Sequence, residues 1–124
     1  MNKEFITWEQ VQIYINKLIE DLKIKGIRPT GVYGIPRGGL ILATLLSYKL
    51  NIPLLLAPSE GCVIIDDIAD SGRTLCHYTN NDTQFNSYYI TTMFYHNRSI
   101  VTPDFYALKK HDEWIVFPWE HQLT

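Results

Sequence analysis

The stretch VIIDDIADSGRT, from Val63 to Thr74, decides how this 124-residue chain is interpreted. It begins with one valine and two isoleucines, which favour a buried strand. Two adjacent carboxylates, Asp66 and Asp67, come next, although like charges side by side repel each other. A short turn of small polar residues then opens a helix near Ser71. An acidic pair and a polar turn at the end of a buried strand together indicate a ligand site.

The turn DSGRT, from Asp70 to Thr74, has the composition of a phosphate cradle. Gly72 permits a tight turn in which several backbone N–H groups point inward, and Ser71 and Thr74 add hydroxyl groups. The amino end of the following helix contributes partial positive charge at the same place. Taken alone, the turn is equally open to interpretation as an ordinary helix N-cap.

The two carboxylates favour a sugar phosphate as the ligand. Ionised Asp66 and Asp67 can only accept hydrogen bonds, and a structural role would require buried Arg or Lys partners that the nearby sequence does not offer. The vicinal hydroxyls of a sugar supply donors, and Mg²⁺ offsets the repulsion between the carboxylates. We therefore expect the acids to bind sugar hydroxyls and the amides of the turn to bind the phosphate.

Around this stretch, patterns typical of strands and helices alternate. A capping box at Thr7 and Gln10 precedes apolar residues at helical spacing, which predicts a helix from about Trp8 to Lys25. The other predicted elements are strands over Gly31–Ile35, Cys62–Asp66, Tyr88–His96 and Asp104–Leu108, and helices over Gly39–Leu50 and Ser71–Tyr78. This order predicts a single α/β domain over residues 1–124, with a Rossmann-like, mainly parallel sheet flanked by helices.

Three segments lie outside this alternation. Leu54 to Ala57 is too close to the Cys62 strand for a normal parallel crossover, so it is either a strand stub or an antiparallel hairpin partner of that strand. TNNDTQFNS, from Thr79 to Ser87, is predicted as a polar loop. EWIVFPWE, from Glu113 to Glu120, is an aromatic tail segment broken by proline.

Charge and composition exclude several classes of partner. A net charge of -2 and a pI near 6.0 give no electrostatic footprint for nucleic acid. There is no basic amphipathic stretch, and polar residues interrupt the one long apolar run, so we expect no membrane partner. The first residues, MNKEFITW, lack the pattern of a signal peptide, so we expect a cytoplasmic protein in which Cys62 and Cys76 are reduced thiols.

Three motifs give the chain a family resemblance. VIIDDIADSGRT resembles the signature with which type I phosphoribosyltransferases bind phosphoribosyl pyrophosphate (PRPP): an apolar strand, two acids, three variable residues, then Ser/Thr-Gly-x-Thr. GIPRGG, residues 34–39, resembles the pyrophosphate loop of that family. EWIVFPWE and the N-terminal ITWEQVQ resemble its xanthine-guanine and hypoxanthine branch. The resemblance implies the family's fold, with a small hood formed by the N-terminal segment and about residues 109–124.

The resemblance also implies roles for individual residues. Asp66 and Asp67 would bind the ribose hydroxyls directly or through Mg²⁺, and Glu120 would lie near a second Mg²⁺ or the pyrophosphate. Asp70 takes the position of the proton acceptor beside N7 of the base, with a plain N-cap as its alternative. The implied PRPP-binding set is Asp66, Asp67, Ala69, Asp70, Ser71, Gly72, Arg73 and Thr74. Arg37 and Gly38 form the implied pyrophosphate-binding pair, with a solvated turn arginine as the alternative for Arg37.

The base subsite departs from the family pattern. Trp114 would stack on the purine and Ile115 would offer backbone groups to the base edge, although Trp114 could instead be core. The purine branch usually has a lysine after the strand that matches TTMFY, where it bonds the six-position oxygen. His96 is the nearest match here, and a neutral imidazole donates only one hydrogen bond. The alternative for His96 is a surface residue at a strand end.

A second departure concerns the long mobile loop that family members carry before the two-acid strand. Here only PSEG, residues 58–61, forms that turn, so the lid that would exclude water is missing. We expect a Mg²⁺-dependent phosphoribosyltransferase of purine salvage, which transfers the ribosyl phosphate of PRPP to hypoxanthine, guanine or xanthine. The alternative is a PRPP- or nucleotide-binding sensor without turnover. The family also implies a homodimer or homotetramer. A generic dinucleotide-binding protein would require G-x-G-x-x-G after the first strand, and GIPRGG does not fit that motif.

Overall fold

The computed structural model describes residues 2–79 and 88–120. Helices and strands alternate along much of the chain, as the sequence predicts. The strands are β1 (Lys3–Phe5), β2 (Val32–Gly34), β3 (Val63–Ala69), β4 (Tyr89–Tyr95), β5 (Phe105–Lys109) and β6 (Trp114–Val116). The helices are α1 (Trp8–Ile24), α2 (Gly38–Leu50) and α3 (Arg73–Thr79), and a short 3₁₀ turn covers Pro118–Glu120.

The main sheet is parallel, with the spatial order β2-β3-β4-β5. Its register aligns Val32 with Val63 and Asp66 with Thr92. Because the strands run in one direction, the turns after β2 and after β3 meet at the same edge. The predicted fold class, a mainly parallel α/β sheet flanked by helices, is confirmed.

The sheet is covered on both faces, which explains the continuous apolar run in β3. On one face, Val63 and Ile65 pack in a core cluster with Val11 and Ile15 of α1 and with Leu42 of α2. On the other face, Ile64 packs with a second cluster that includes Leu75 of α3, Ile35, Ile90 and Tyr95. This two-sided burial fixes the position of β3, the strand that contains the acidic pair.

The capping box at the start of α1 is confirmed. The N–H of Gln10 donates to the Thr7 hydroxyl at 3.1 Å, and the N–H of Thr7 donates to the Gln10 side chain at 2.9 Å. The apolar stripe of the helix, Val11, Ile15, Leu18 and Leu22, is fully buried. The amphipathic pattern therefore identified both the beginning and the inward face of this helix correctly.

The strand that carries the acids is longer than its predicted range. β3 continues to Ala69, three residues beyond Asp66, because Ile68 and Ala69 still pair with Phe94 and Tyr95 of β4. The acidic pair therefore lies inside the strand, and α3 begins at Arg73 instead of Ser71. Of the predicted polar loop that follows α3, residues 80–87 lie outside the described part of the chain.

The segment around Leu54 is a strand stub. It forms a single parallel bridge with Val32, in which the N–H of Val32 donates to Pro53 O at 2.9 Å and the N–H of Leu55 donates to Val32 O at 2.8 Å. It therefore lies beside β2, and the alternative of an antiparallel hairpin with the Cys62 strand is wrong.

The N-terminal segment and the aromatic tail form a second, two-stranded parallel sheet. β1 pairs with β6, with Lys3 opposite Trp114 and Phe5 opposite Val116. The N–H of Trp114 also donates to Asn2 O at 2.8 Å. No helix in residues 2–79 or 88–120 is long and apolar enough to cross a membrane.

Candidate functional site

The acidic pair has no cationic partner in the part of the chain that the structure describes. One carboxylate oxygen of Asp66 accepts from the N–H of Asp67 at 2.8 Å, and one of Asp67 accepts from the N–H of Ile68 at 2.7 Å. Asp66 is only 9% exposed. Burial, followed by the neighbouring charge of Asp67, raises the pKa of Asp66 to about 8. Without a ligand, this position is electrostatically unfavourable for an ionised carboxylate.

The pair fits a Mg²⁺ ion that is shared with a substrate. Within the described ranges, no three His, Cys, Asp or Glu side chains cluster as a self-sufficient metal site. Mg²⁺ in proteins is commonly held by one or two carboxylates together with waters and substrate phosphate oxygens. Two neighbouring carboxylates without a compensating cation are the donor set that such an ion needs.

A cavity of about 610 Å³ brings the acidic strand and the GIPRGG loop together. Its lining residues are Arg37, Gly38, Ile41, Asp67, Trp119 and Glu120. A Cβ atom on Gly38 would collide with the Asp67 carboxylate, so the glycine is what allows the loop to approach the acid. Arg37 is exposed and forms no ion pair with another described residue.

The tail supplies the opposite wall of this cavity. Glu120 lies exposed, and one of its carboxylate oxygens accepts from the N–H of Phe117 at 2.8 Å. The ring of Trp119 stacks on Phe117, with ring centroids 4.8 Å apart, and lies 5.8 Å from Trp8. Trp119 therefore packs against the core while it also lines the cavity.

The turn after β3 presents hydrogen-bond donors. Gly72 has φ of +83°, and a Cβ atom there would lie 2.5 Å from the Ser99 hydroxyl oxygen, so only glycine fits both the backbone and the space. The N–H of Arg73 donates to the Ser71 hydroxyl at 3.3 Å. In the described chain, the N–H groups of Gly72 and Thr74 donate to no other residue.

Ala69, which the resemblance placed in the PRPP-binding set, is a core residue at the end of β3. Its side chain is 1% exposed, and its carbonyl accepts from the N–H of His96 at 2.9 Å. Arg73 and Thr74 lie exposed in the first turn of α3. Of these three predicted residues, Arg73 and Thr74 are thus accessible to a ligand.

Asp70 forms a two-pronged ion pair that the sequence did not predict. Arg98 donates to both of its carboxylate oxygens, at 3.0 and 2.8 Å, and Lys110 Nζ lies 3.9 Å away. The hydrogen bonds from Arg98 hold the pKa of Asp70 below its ordinary value. Because the carboxylate faces Arg98 and Lys110, the alternative of a plain N-cap for Asp70 is wrong.

His96 already has a partner at each ring nitrogen. Nδ1 accepts from the N–H of Arg98 at 3.0 Å, so Nε2 carries the proton, and it donates to Asp112 at 3.1 Å. The residue is 8% exposed. Both ring nitrogens are therefore hydrogen-bonded within the protein, and the alternative of an exposed strand-end residue is wrong.

Trp114 and Ile115 lie next to each other on β6 in different surroundings. Trp114 is 59% exposed, so the alternative of a core tryptophan is wrong. Ile115 is buried in the main core cluster, and only its backbone could face a ligand. An exposed, rigid indole is suited to stacking on a flat ligand.

Comparison with known proteins gives the chain a family. The chain is 30% identical to the purine phosphoribosyltransferase from Pyrococcus horikoshii, whose crystal structure matches 100% of this chain and 97% of that one with a TM-score of 0.83. The chain belongs to the type I phosphoribosyltransferase family, in its purine branch. No family model matches it, so the assignment depends on whole-chain similarity.

Two further relatives agree with this phosphoribosyltransferase assignment. The xanthine-guanine phosphoribosyltransferase of Idiomarina loihiensis is 23% identical in an alignment of 148 positions, gaps included, that covers 98% of this chain and 90% of that protein. The structure of the Helicobacter pylori xanthine-guanine-hypoxanthine phosphoribosyltransferase is 21% identical, covers 96% of this chain and 94% of that one, and has a TM-score of 0.81. At that identity, the second match supports the fold alone.

Proposed function

We propose that this chain is a Mg²⁺-dependent purine phosphoribosyltransferase, which transfers the 5-phosphoribosyl group of PRPP to N9 of hypoxanthine, guanine or xanthine and releases pyrophosphate. The observation that carries this proposal is the uncompensated pair of Asp66 and Asp67. Asp67 lines a cavity that contains Arg37, and the turn with unused N–H groups follows the same strand. This arrangement suits a ligand with a phosphate, two hydroxyls and a diphosphate.

In this proposal, different residues bind the phosphate, the ribose and the diphosphate of PRPP. The turn Ser71–Thr74 binds the 5-phosphate, and Asp66 and Asp67 accept hydrogen bonds from the ribose hydroxyls. Arg37 and Gly38 hold the diphosphate, because a guanidinium fork matches phosphate oxygens in two places. Asp66, Asp67 and Glu120 are the residues that would hold Mg²⁺, which when bound stabilises negative charge on the departing pyrophosphate.

The base lies between Trp114 and Asp70 in this proposal. The exposed indole of Trp114 stacks on the purine, and Ile115 offers its backbone to the base edge. Asp70, kept ionised by Arg98, accepts the N7 proton or shares it while N9 attacks C1 of the ribose. His96 is not the donor to the six-position oxygen, because both of its ring nitrogens are occupied.

A sensor that binds PRPP or a nucleotide without turnover is the second candidate. The connection from Leu54 to β3 favours it, because it consists of one bridge residue and a short turn that ends at Gly61. Such a turn is too short to close over a substrate and exclude water. We further propose that residues 1–124 act as one domain in a cytoplasmic homodimer or homotetramer, with β1 and the tail as its hood.

Release of pyrophosphate from PRPP, measured with a panel of purine and pyrimidine bases in the presence of Mg²⁺, tests the proposal. Base-dependent release with an oxopurine supports the transferase. Calorimetric binding of PRPP without release for any base would favour the sensor. The double variant Asp66→Asn with Asp67→Asn should lose PRPP binding while its circular dichroism spectrum is retained, and unchanged affinity would refute the assigned role of the acids.

A further inference from the structure

The loop from His96 to Val101, here called the brace loop, contacts the end of β3 and the start of the turn Ser71–Thr74, here called the phosphate turn. The N–H of His96 donates to Ala69 O and the N–H of Ile100 donates to Ser71 O, each at 2.9 Å. Between these two bonds, the Arg98 guanidinium binds both oxygens of Asp70. Gly72 packs directly against the backbone N–H groups of the same loop.

We propose that Arg98 is a positioning residue: by binding both carboxylate oxygens of Asp70, it sets the carboxylate and the adjoining phosphate turn in their binding geometry before the ligand arrives. This inference rests on the proposed function of the site. Arg98 makes the charged side-chain contact of the brace loop with Asp70, whereas the flanking contacts at Ala69 and Ser71 use backbone atoms. Arg98 can therefore be changed without removing those backbone contacts.

Fold stability alone does not account for this ion pair. The side chains of Arg98 and Asp70 are 59% and 44% exposed, and exposed ion pairs contribute little to the free energy of unfolding. The pair is nevertheless directional, because a guanidinium fork fixes the plane and the position of the carboxylate. Its main consequence is therefore local geometry beside the phosphate turn.

The charged groups around Asp70 favour a carboxylate that is ionised and fixed in position as a hydrogen-bond acceptor. Arg98 and Lys110 face it as cations, and His96 lies nearby with Nδ1 accepting a hydrogen bond. A carboxylate that is held ionised and in place needs no ordering when the base binds, which lowers the entropic cost of binding. Such preorganisation matters more where the connection before β3 is too short to close over the substrate.

The test compares wild type with Arg98→Ala, Arg98→Lys and the matched control Arg28→Ala, which removes an exposed arginine that precedes β2 at the opposite edge of the sheet. Arg98→Ala should lower kcat/KM by roughly ten- to a hundredfold, the scale expected for misplaced catalytic groups. Arg98→Lys should recover only part of this loss, because lysine provides a point charge and no fork. Arg28→Ala should match wild type.

Two further measurements separate positioning from general destabilisation. In the Asp70→Asn background, Arg98→Ala should cause little additional loss, whereas full additivity would show that Arg98 does not act through Asp70 and would overturn the inference. In the pH profile of kcat/KM, the acid limb should move to higher pH in Arg98→Ala, because Asp70 loses the partner that keeps it ionised. A merely structural role would leave that limb in place.

The outcomes distinguish this inference from the proposed function. If wild type turns over PRPP and Arg98→Ala is equally fast or faster, the inference fails while the transferase stands. If wild type binds PRPP without turnover, Arg98→Ala should still weaken binding about tenfold or more in calorimetry, and unchanged binding would overturn the inference. If wild type neither binds nor uses PRPP, both proposals fail. Equal thermal unfolding of Arg98→Ala, Arg98→Lys and wild type excludes misfolding as the cause of any loss in these variants.

Discussion

Replacing Asp66 with Asn should flatten the dependence of stability on pH in the metal-free protein, at the same time as it removes PRPP binding. The folded pKa of Asp66 is raised to about 8 from an ordinary value of 3.8, because the carboxyl is buried beside Asp67. The folded state therefore keeps a proton that the unfolded state loses. The stability that Asp66 contributes is fully present below about pH 4 and is lost as pH rises towards about 8.

The magnitude follows from the size of the shift. Each pH unit inside that window should lower the free energy of unfolding by up to about 1.4 kcal/mol. Between about pH 5.5 and about pH 7.5 the loss reaches up to about 3 kcal/mol, a large part of the roughly 5–15 kcal/mol that stabilises a typical domain. Asn removes this loss because it does not ionise, and its side-chain oxygen can still accept from the N–H of Asp67.

Urea unfolding at several pH values, with chelator present to exclude divalent cations, measures the effect. The difference in unfolding free energy between Asp66→Asn and wild type should grow in favour of the variant as pH rises. Asp21→Asn, on the surface of α1, makes the same change of charge and serves as the control. Parallel pH curves for wild type and Asp66→Asn would show that burial does not hold the Asp66 carboxyl in its protonated form, and the electrostatic reasoning about the pair would be refuted.

Three other substitutions test separate parts of the site. Gly72→Ala should lower stability by about 1–3 kcal/mol, because φ is +83° and the new methyl would meet the Ser99 hydroxyl; an unchanged urea midpoint would contradict this. Trp114→Ala should raise KM for the base at least severalfold with little change in thermal unfolding, because the indole is exposed, whereas an equal KM would exclude stacking. His96→Gln should leave the ranking of oxopurine bases unchanged in the pyrophosphate assay, because both ring nitrogens are committed to Arg98 and Asp112, and a changed ranking would restore His96 to the base subsite.

Local patterns predicted the elements that surround the candidate site. The start of α1 was predictable because Thr7 and Gln10 form a capping box within one turn. The apolar run before Asp66 identified β3, although the acids themselves concealed the last part of that strand. The meeting of Gly38 with Asp67 followed from parallel topology, since the turns after β2 and β3 must meet at one edge.

Contacts between distant segments were not predictable in this way. β1 has only three residues, all of them exposed, so Lys3–Phe5 carries no periodicity that would reveal its pairing with β6. The Arg98–Asp70 pair joins residues 28 positions apart, and only the folded brace loop places them together. The partners of His96 were not predictable for the same reason, because Asp112 and the N–H of Arg98 reach its ring from outside β4.

Two aspartates four positions apart have opposite electrostatic surroundings, and the contrast separates their roles. Asp66 is buried without a cation among the described residues and has a raised pKa, so positive charge or hydrogen-bond donors from a ligand would favour its ionised form. Asp70 is paired with Arg98 and has a lowered pKa, so it is ionised and able to accept a hydrogen bond before any ligand binds. Residues whose environments push their pKa values apart typically divide chemical roles in this way. Neutralising Asp66 should therefore relieve the unliganded protein, whereas neutralising Asp70 should leave the Arg98 guanidinium without its carboxylate partner.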